Sequence, residues 1–271
     1  MSRDHNRGRT NGNAYLPWAE LMRIERLSST TFESTALAFE PPSQWGGAFG
    51  GHVYAQAVWA AAHTLPDRRV FVVHNVNGYF TLPARASLPF TYIVRTVRNG
   101  KGYCVRTVDV HQTDPAEICF TCTCSFKRRE RPSPRRLDLQ SPIDLRTEYA
   151  AALAPAGREK DATEWPECPG VDAKWYWDAL ASGEVENAKL PGLSSRKVDM
   201  APYNGPRRPL ERRQLHFYQV TGSMPSFEEE PNLHAVAHCY ASDRNGLYTI
   251  GCMMGDEGDG WEKMGSLSHK V

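Results

Sequence analysis

The sequence predicts an α+β fold in which an antiparallel sheet curls around one long buried helix. Three observations carry this. The alanine-rich segment His52 to Leu65 is apolar on nearly every side. Strand-like runs follow it in succession between Phe71 and Phe126. Asn99-Gly100-Lys101-Gly102 joins two of those runs as a hairpin turn. A helix without a polar face needs cover on both sides, and a curled sheet supplies it.

The composition permits such a core. Of 271 residues, 41% are hydrophobic, with 7 Trp, 11 Tyr and 10 Phe. Lys plus Arg is 32 against 31 Asp plus Glu, a net charge of +1. No overall field therefore draws the chain to nucleic acid or to an anionic membrane. No run approaches the ~18 apolar residues of a membrane span. The opening residues have no apolar signal segment, and 1–14 read as a disordered polar tail. Seven cysteines, an odd count, argue against a disulfide framework and for a reducing, intracellular, cytoplasmic setting.

The first unit spans 15–128. An extended stretch, Ser29 to Phe39, ends at Pro41-Pro42. The glycine-rich turn Trp45 to Gly51 opens the helix, and Pro66 closes it. His52, Gln56 and His63 are its polar exceptions and fall on one stripe. Strands are expected at Phe71–Phe80, Leu88–Val97, Tyr103–His111 and Glu117–Phe126. Strand, buried helix and antiparallel meander, in that order, make a hotdog arrangement.

A connector follows over 129–206, rich in Pro, Gly, Ala and charge. Its Trp165, Trp175, Tyr176 and Trp177 require a surface to pack on. The basic run Lys127 to Arg136 at its start reads as a solvated linker, or as a strip for phosphate groups. A second unit occupies 207–271. It has a strand at Gln214–Thr221, then a helix capped by Asn232 with apolar positions Leu233, Val236, Ala237, Tyr240 and Ala241. Strand-then-helix thus occurs twice and the meander once. The expectation is a tandem fold whose second copy is incomplete, with an uncovered apolar helix face that favours a homo-oligomer.

Several side chains offer chemistry. Asp243 suits a general base or water-orienting carboxylate, or a turn cap beside Asn245-Gly246. Ser266 offers a hydroxyl that both donates and accepts, or is simply a strand-edge serine. Free N–H groups around Gly50 and Gly51 suit an anion or a polarised carbonyl, or the glycines merely let a helix enter a tight sheet. Cys119, Cys122 and Cys124 lack metal-ligand spacing. They read as small buried hydrophobes, with Cys119 on the opposite strand face from the other two.

Four segments carry a resemblance. Trp45-Gly-Gly-Ala-Phe-Gly-Gly-His-Val-Tyr-Ala-Gln-Ala57, Asn77-Gly-Tyr-Phe-Thr-Leu-Pro-Ala84, Tyr240-Ala-Ser-Asp243 and Gly265-Ser-Leu-Ser-His269 resemble the type II acyl-CoA thioesterases. That family is a double hotdog, and the resemblance runs from about Leu27 to Val271. It implies hydrolysis of acyl-CoA to free acid and CoA, with acyl-CoA as partner and no cofactor or metal. The family's Asp falls on Asp243 and its Thr or Ser on Ser266. Its Gln belongs to strands further on, and no residue here takes that role. Gly50, Gly51 and His52 are the expected substrate-binding positions. Two other readings are a non-catalytic binding or oligomerisation module, and a dehydratase-like enzyme using His52. The tripeptide His269-Lys270-Val271 does not match the Ser-Lys-Leu type of peroxisomal signal.

Overall fold

The structure is a computed structural model that describes residues 15–42, 47–115, 117–130, 143–254 and 265–271. The N-terminal tail, Trp45, Gly46 and the distal half of the basic run lie outside the described residues. The elements that build the site are β1 (Ile24–Arg26), β2 (Thr31–Ser34), α1 (Gly50–Ala62), β3 (Phe71–Phe80), β4 (Thr91–Asn99), β5 (Tyr103–His111) and β6 (Phe120–Arg128). After these come α2 (Lys174–Ser182), β7 (Leu193–Lys197), β8 (His216–Val220), α3 (Pro231–Ser242), α4 (Gly246–Met254) and β9 (Ser268–Lys270). Seven strands form one antiparallel sheet in the order β1-β2-β4-β5-β6-β3-β9, and β7 and β8 pair separately. The sheet wraps α1 in an α+β hotdog fold.

α1 is buried along its length from Gly51 to Ala62. Alanine lets it lie close to the sheet, and glycine on the sheet does the same from the other side. A Cβ on Gly78 of β3 would stand 2.5 Å from Phe120 and 2.8 Å from Tyr54. The helix's internal polar group is bracketed rather than solvated. Gln56 donates to the Leu21 carbonyl at 2.9 Å and accepts from the Tyr92 hydroxyl at 2.6 Å, as burial demands.

Two strand edges differ from expectation for identifiable reasons. β4 begins at Thr91, not Leu88, because Pro89 has no N–H to give the ladder. Phe90 then exchanges hydrogen bonds with Ser34, through its N–H to Ser34 Oγ and its carbonyl from the Ser34 N–H, both 2.9 Å. Cys119 precedes β6, where strand alternation does not yet apply. It is buried like Cys122 and Cys124 instead of facing away from them.

The connector packs through Trp165, Val198 and Met200 against Tyr149 and Leu153. α3 lies against α1 through Leu233, Val236, Cys239 and Tyr240. Tyr240 stacks edge-on against Trp18 and Phe49, with centroids 5.3 and 5.0 Å away. Asn232 is not the cap of this helix. Glu230 occupies that place with Pro231 in the first turn. Asn232 is instead buried against β3, accepting from the Val73 N–H at 2.9 Å and donating to the carbonyls of Arg68 and Phe71 at 2.7 and 2.9 Å. Away from α1 the helix exposes His238 and Ser242, a small polar side and not the broad apolar face expected. β9 then pairs with β3, Tyr79 opposite Ser268 and Asn77 opposite Lys270. Among the described residues no helix is long and apolar enough to cross a membrane.

Candidate active site

The first turn of α1, the C-terminus of α3 and the approach to β9 converge on one cavity of about 430 Å³. Phe39, Phe49, Val53, Phe80, Phe120 and Leu190 make its walls apolar, and Asp243 and Ser266 bring oxygen atoms to them. Asp243 ends α3 as its C-cap. Its side chain is 13% exposed, low enough for desolvation to control its charge. Burial pushes the carboxyl up to about 6, while the Gly51 N–H and the Ser266 hydroxyl hold it back. Ser266 Oγ donates to Asp243 Oδ1 at 3.5 Å.

Gly50 and Gly51 have distinct reasons to be glycine here. A Cβ on Gly50 would come 2.8 Å from Asp243 Oδ2, and one on Gly51 would come 2.8 Å from the Tyr240 carbonyl. The two helices approach closely because both side chains are missing. The partial positive charge at the start of α1 favours the carboxylate. The start of α1 thus faces the Asp243 carboxyl, a side chain of the protein itself.

His52 is placed elsewhere. It is fully buried beside Phe90, ring centroids 6.2 Å apart, and it does not line the cavity. Gln56, one turn on, is committed to Leu21 and Tyr92, and neither ring nitrogen of His52 has a hydrogen-bond partner. Burial pushes the imidazole down to about 4. As placed, His52 is enclosed and stands apart from the cavity that Gly50 lines, unlike the expected substrate-binding position.

Two residues join the site that the sequence reading gave no role, although His269 closes one of the resembling motifs. His269 of β9 sets Nδ1 3.7 Å from Asp243 Oδ1 and Nε2 2.8 Å from Ser242 Oγ, and burial lowers its pKa. Arg244 is buried, and its guanidinium donates to the Gly170 carbonyl at 2.6 Å and to the Pro169 carbonyl. It ties the connector to the cavity wall. Both follow from position, one strand residue and one helix end, and only the assembled fold shows it.

Residues 41–127 match the model of the acyl-CoA thioesterase N-terminal domain family. The chain is 32% identical over 210 residues to acyl-CoA thioesterase 2 of Haemophilus influenzae, covering 76% of this chain and 63% of that one. Residues 41–127 thus carry an acyl-CoA thioesterase N-terminal domain, and the chain is similar to acyl-CoA thioesterases beyond it. A human relative, acyl-coenzyme A thioesterase 8, is 32% identical over 195 residues, covering 72% of this chain and 56% of that one. The chain therefore spans 63% and 56% of the lengths of these two relatives. Solved structures of similar fold include acyl-CoA thioesterase II TesB2 of Mycobacterium marinum, with TM-score 0.53, 19% identity and coverage of 93% of this chain and 76% of that one. The TesB protein of Mycobacterium avium subspecies paratuberculosis gives TM-score 0.57 at 19% identity, covering 93% and 77%. The family match spans α1 and β3 to β5 entirely, whereas Asp243 and Ser266 lie beyond it.

Proposed function

We propose that this chain hydrolyses acyl-CoA thioesters to a free acid and CoA, with Asp243 as base and Ser266 as the second anchor of the attacking water. One observation carries the reading: a desolvated carboxylate and a hydroxyl meet, 3.5 Å apart, on the wall of a largely apolar cavity at the start of α1. A carboxyl that titrates near 6 is ionised at pH 7 yet basic enough to accept a proton from water. Water held by both oxygens passes a proton to Asp243 as its oxygen attacks the carbonyl carbon. The C–S bond then breaks, and the leaving CoA thiolate recovers that proton. The aromatic walls suit the acyl chain.

Free, buried thiols at Cys104, Cys119, Cys122, Cys124, Cys168 and Cys239 support action in a reducing, cytoplasmic compartment. Self-association belongs to the same reading, because β1 and β9 leave both ends of the large sheet open among the described residues.

Thiol release from short-, medium- and long-chain acyl-CoAs tests this. Asp243→Asn is expected to lower kcat by about 10²–10⁴-fold, the usual worth of a positioned acid–base group. Acyl-CoA binding with no turnover by the parent chain would overturn hydrolysis in favour of a binding module.

A further inference from the structure

The connector and β8 bring together a second set of reactive side chains, which the hydrolytic reading does not use. Cys168 and Asp172 lie in the stretch before α2, and His216 is the first residue of β8. Cys168 is hung on the small sheet by its N–H to the Ser195 carbonyl at 2.7 Å. One ligand atom each from Cys168, Asp172 and His216 falls within 4.8 Å of the others. Cys168 Sγ is 3.6 Å from His216 Nδ1, and Asp172 Oδ2 is 3.9 Å from His216 Nε2. All three side chains are enclosed, those of His216 and Asp172 being 8% and 4% exposed.

This geometry suits a metal better than it suits a hydrogen-bond relay. A tetrahedral zinc ion with Zn–S of ~2.3 Å and Zn–N of ~2.0–2.1 Å sets its sulfur and nitrogen donors about 3.6 Å apart. The thiol–imidazole separation is that edge. Asp172 Oδ1 accepts from Trp177 Nε1 at 2.7 Å and from Lys197 Nζ at 2.9 Å, which leaves Oδ2 free on the Nε2 side of the ring, from where it must turn towards Nδ1 to share an ion with Cys168. Donors behind a ligating carboxylate fix its orientation in the same way.

We propose that Cys168, Asp172 and His216 bind one zinc ion. Sulfur with nitrogen and one oxygen favours zinc over magnesium or calcium. Binding forms a Zn–S bond and releases the thiol proton, so the cluster gains one positive charge. Lys197 and Arg244 already stand as cations beside it, and Lys197 opposes the ion. Ser195 Oγ, 3.4 Å from His216 Nδ1, or a water molecule completes the coordination. The ion would staple the connector to β8. Through Gly170, which both lines the cavity and accepts from Arg244, it would stiffen the wall nearest Asp243.

Cobalt titration of the chelator-treated full chain, followed by zinc, is the test. One cobalt per chain is expected, with a near-ultraviolet thiolate-to-cobalt band that one equivalent of zinc abolishes. Cys168→Ser should remove the band, and Trp177→Phe should weaken binding by about tenfold. Lys197→Met should tighten it, while Asp243→Asn should bind like the parent. Cobalt bound without the band, or a band that survives Cys168→Ser, overturns the site. Should Cys168→Ser fail to fold, the parent's band and His216→Asn decide: an absent band, or one that His216→Asn leaves at full strength and affinity, refutes it.

Discussion

Replacing His52 by leucine should make the protein less sensitive to acid. The imidazole is fully buried without a hydrogen-bond partner, and its pKa falls from 6.5 to about 4. Between those values the unfolded chain takes up a proton that the folded chain refuses. The folded pKa is depressed, so stability is lost as pH falls through 6.5 towards 4. One pKa unit corresponds to about 1.36 kcal/mol, so His52 costs ~2 kcal/mol by pH 5 and ~3 kcal/mol across the window. Asp243 works in the opposite direction. Its raised pKa lets the folded chain keep a proton the unfolded chain has lost, which stabilises the fold as pH falls from about 6 towards 3.8. His216 has the same sign as His52. Absolute pH profiles therefore mix several groups, and the useful quantity is the difference between parent and His52→Leu. Urea unfolding at pH 7.5 and at pH 5 should show the variant gaining about 2 kcal/mol on the parent between the two. Parallel losses in the two proteins would refute the reasoning.

Other outcomes follow from single contacts. Gly78→Ala should destabilise the fold by about 1–3 kcal/mol in thermal or urea melts, since its Cβ would overlap the rings of Phe120 and Tyr54. Asn232→Ala strands the Val73 N–H and two carbonyls in a buried setting. A loss of about 2–4 kcal/mol is expected, and Asn232→Asp should not restore it because a carboxylate cannot donate. The pH–kcat profile of the parent chain should rise through about 6 as Asp243 ionises. Ser266→Ala removes one of the groups that restrain that pKa, so the rise should move to higher pH.

The central helix and its sheet were legible because their patterns leave little choice. β3 and β5 run over the very residues their alternation indicates, Phe71–Phe80 and Tyr103–His111. The helix was read from its lack of a polar face. Misreadings arose where one side chain serves two kinds of local chemistry. Asn232 has the composition of a cap but holds β3, and His52 sits on a plausible helix start yet turns into the core. Asp243 and Ser266 were found through motif resemblance, since spacing alone favours a turn cap and a strand-edge serine. Their meeting depends on β9 pairing with β3, which no local pattern announces. Cys168, Asp172 and His216 were invisible because they are separated in sequence and joined only by the β7–β8 ribbon.

The pairing of β9 with β3 also bears on when the cavity comes into being. Zipping these late residues onto an early strand closes a very long loop, an entropic toll taken before any contact repays it. The wrapped helix can be in place well before Ser266 arrives beside Asp243. The Asp243–Ser266 contact should then form after the regain of helical signal during refolding, among the last parts of the molecule to mature.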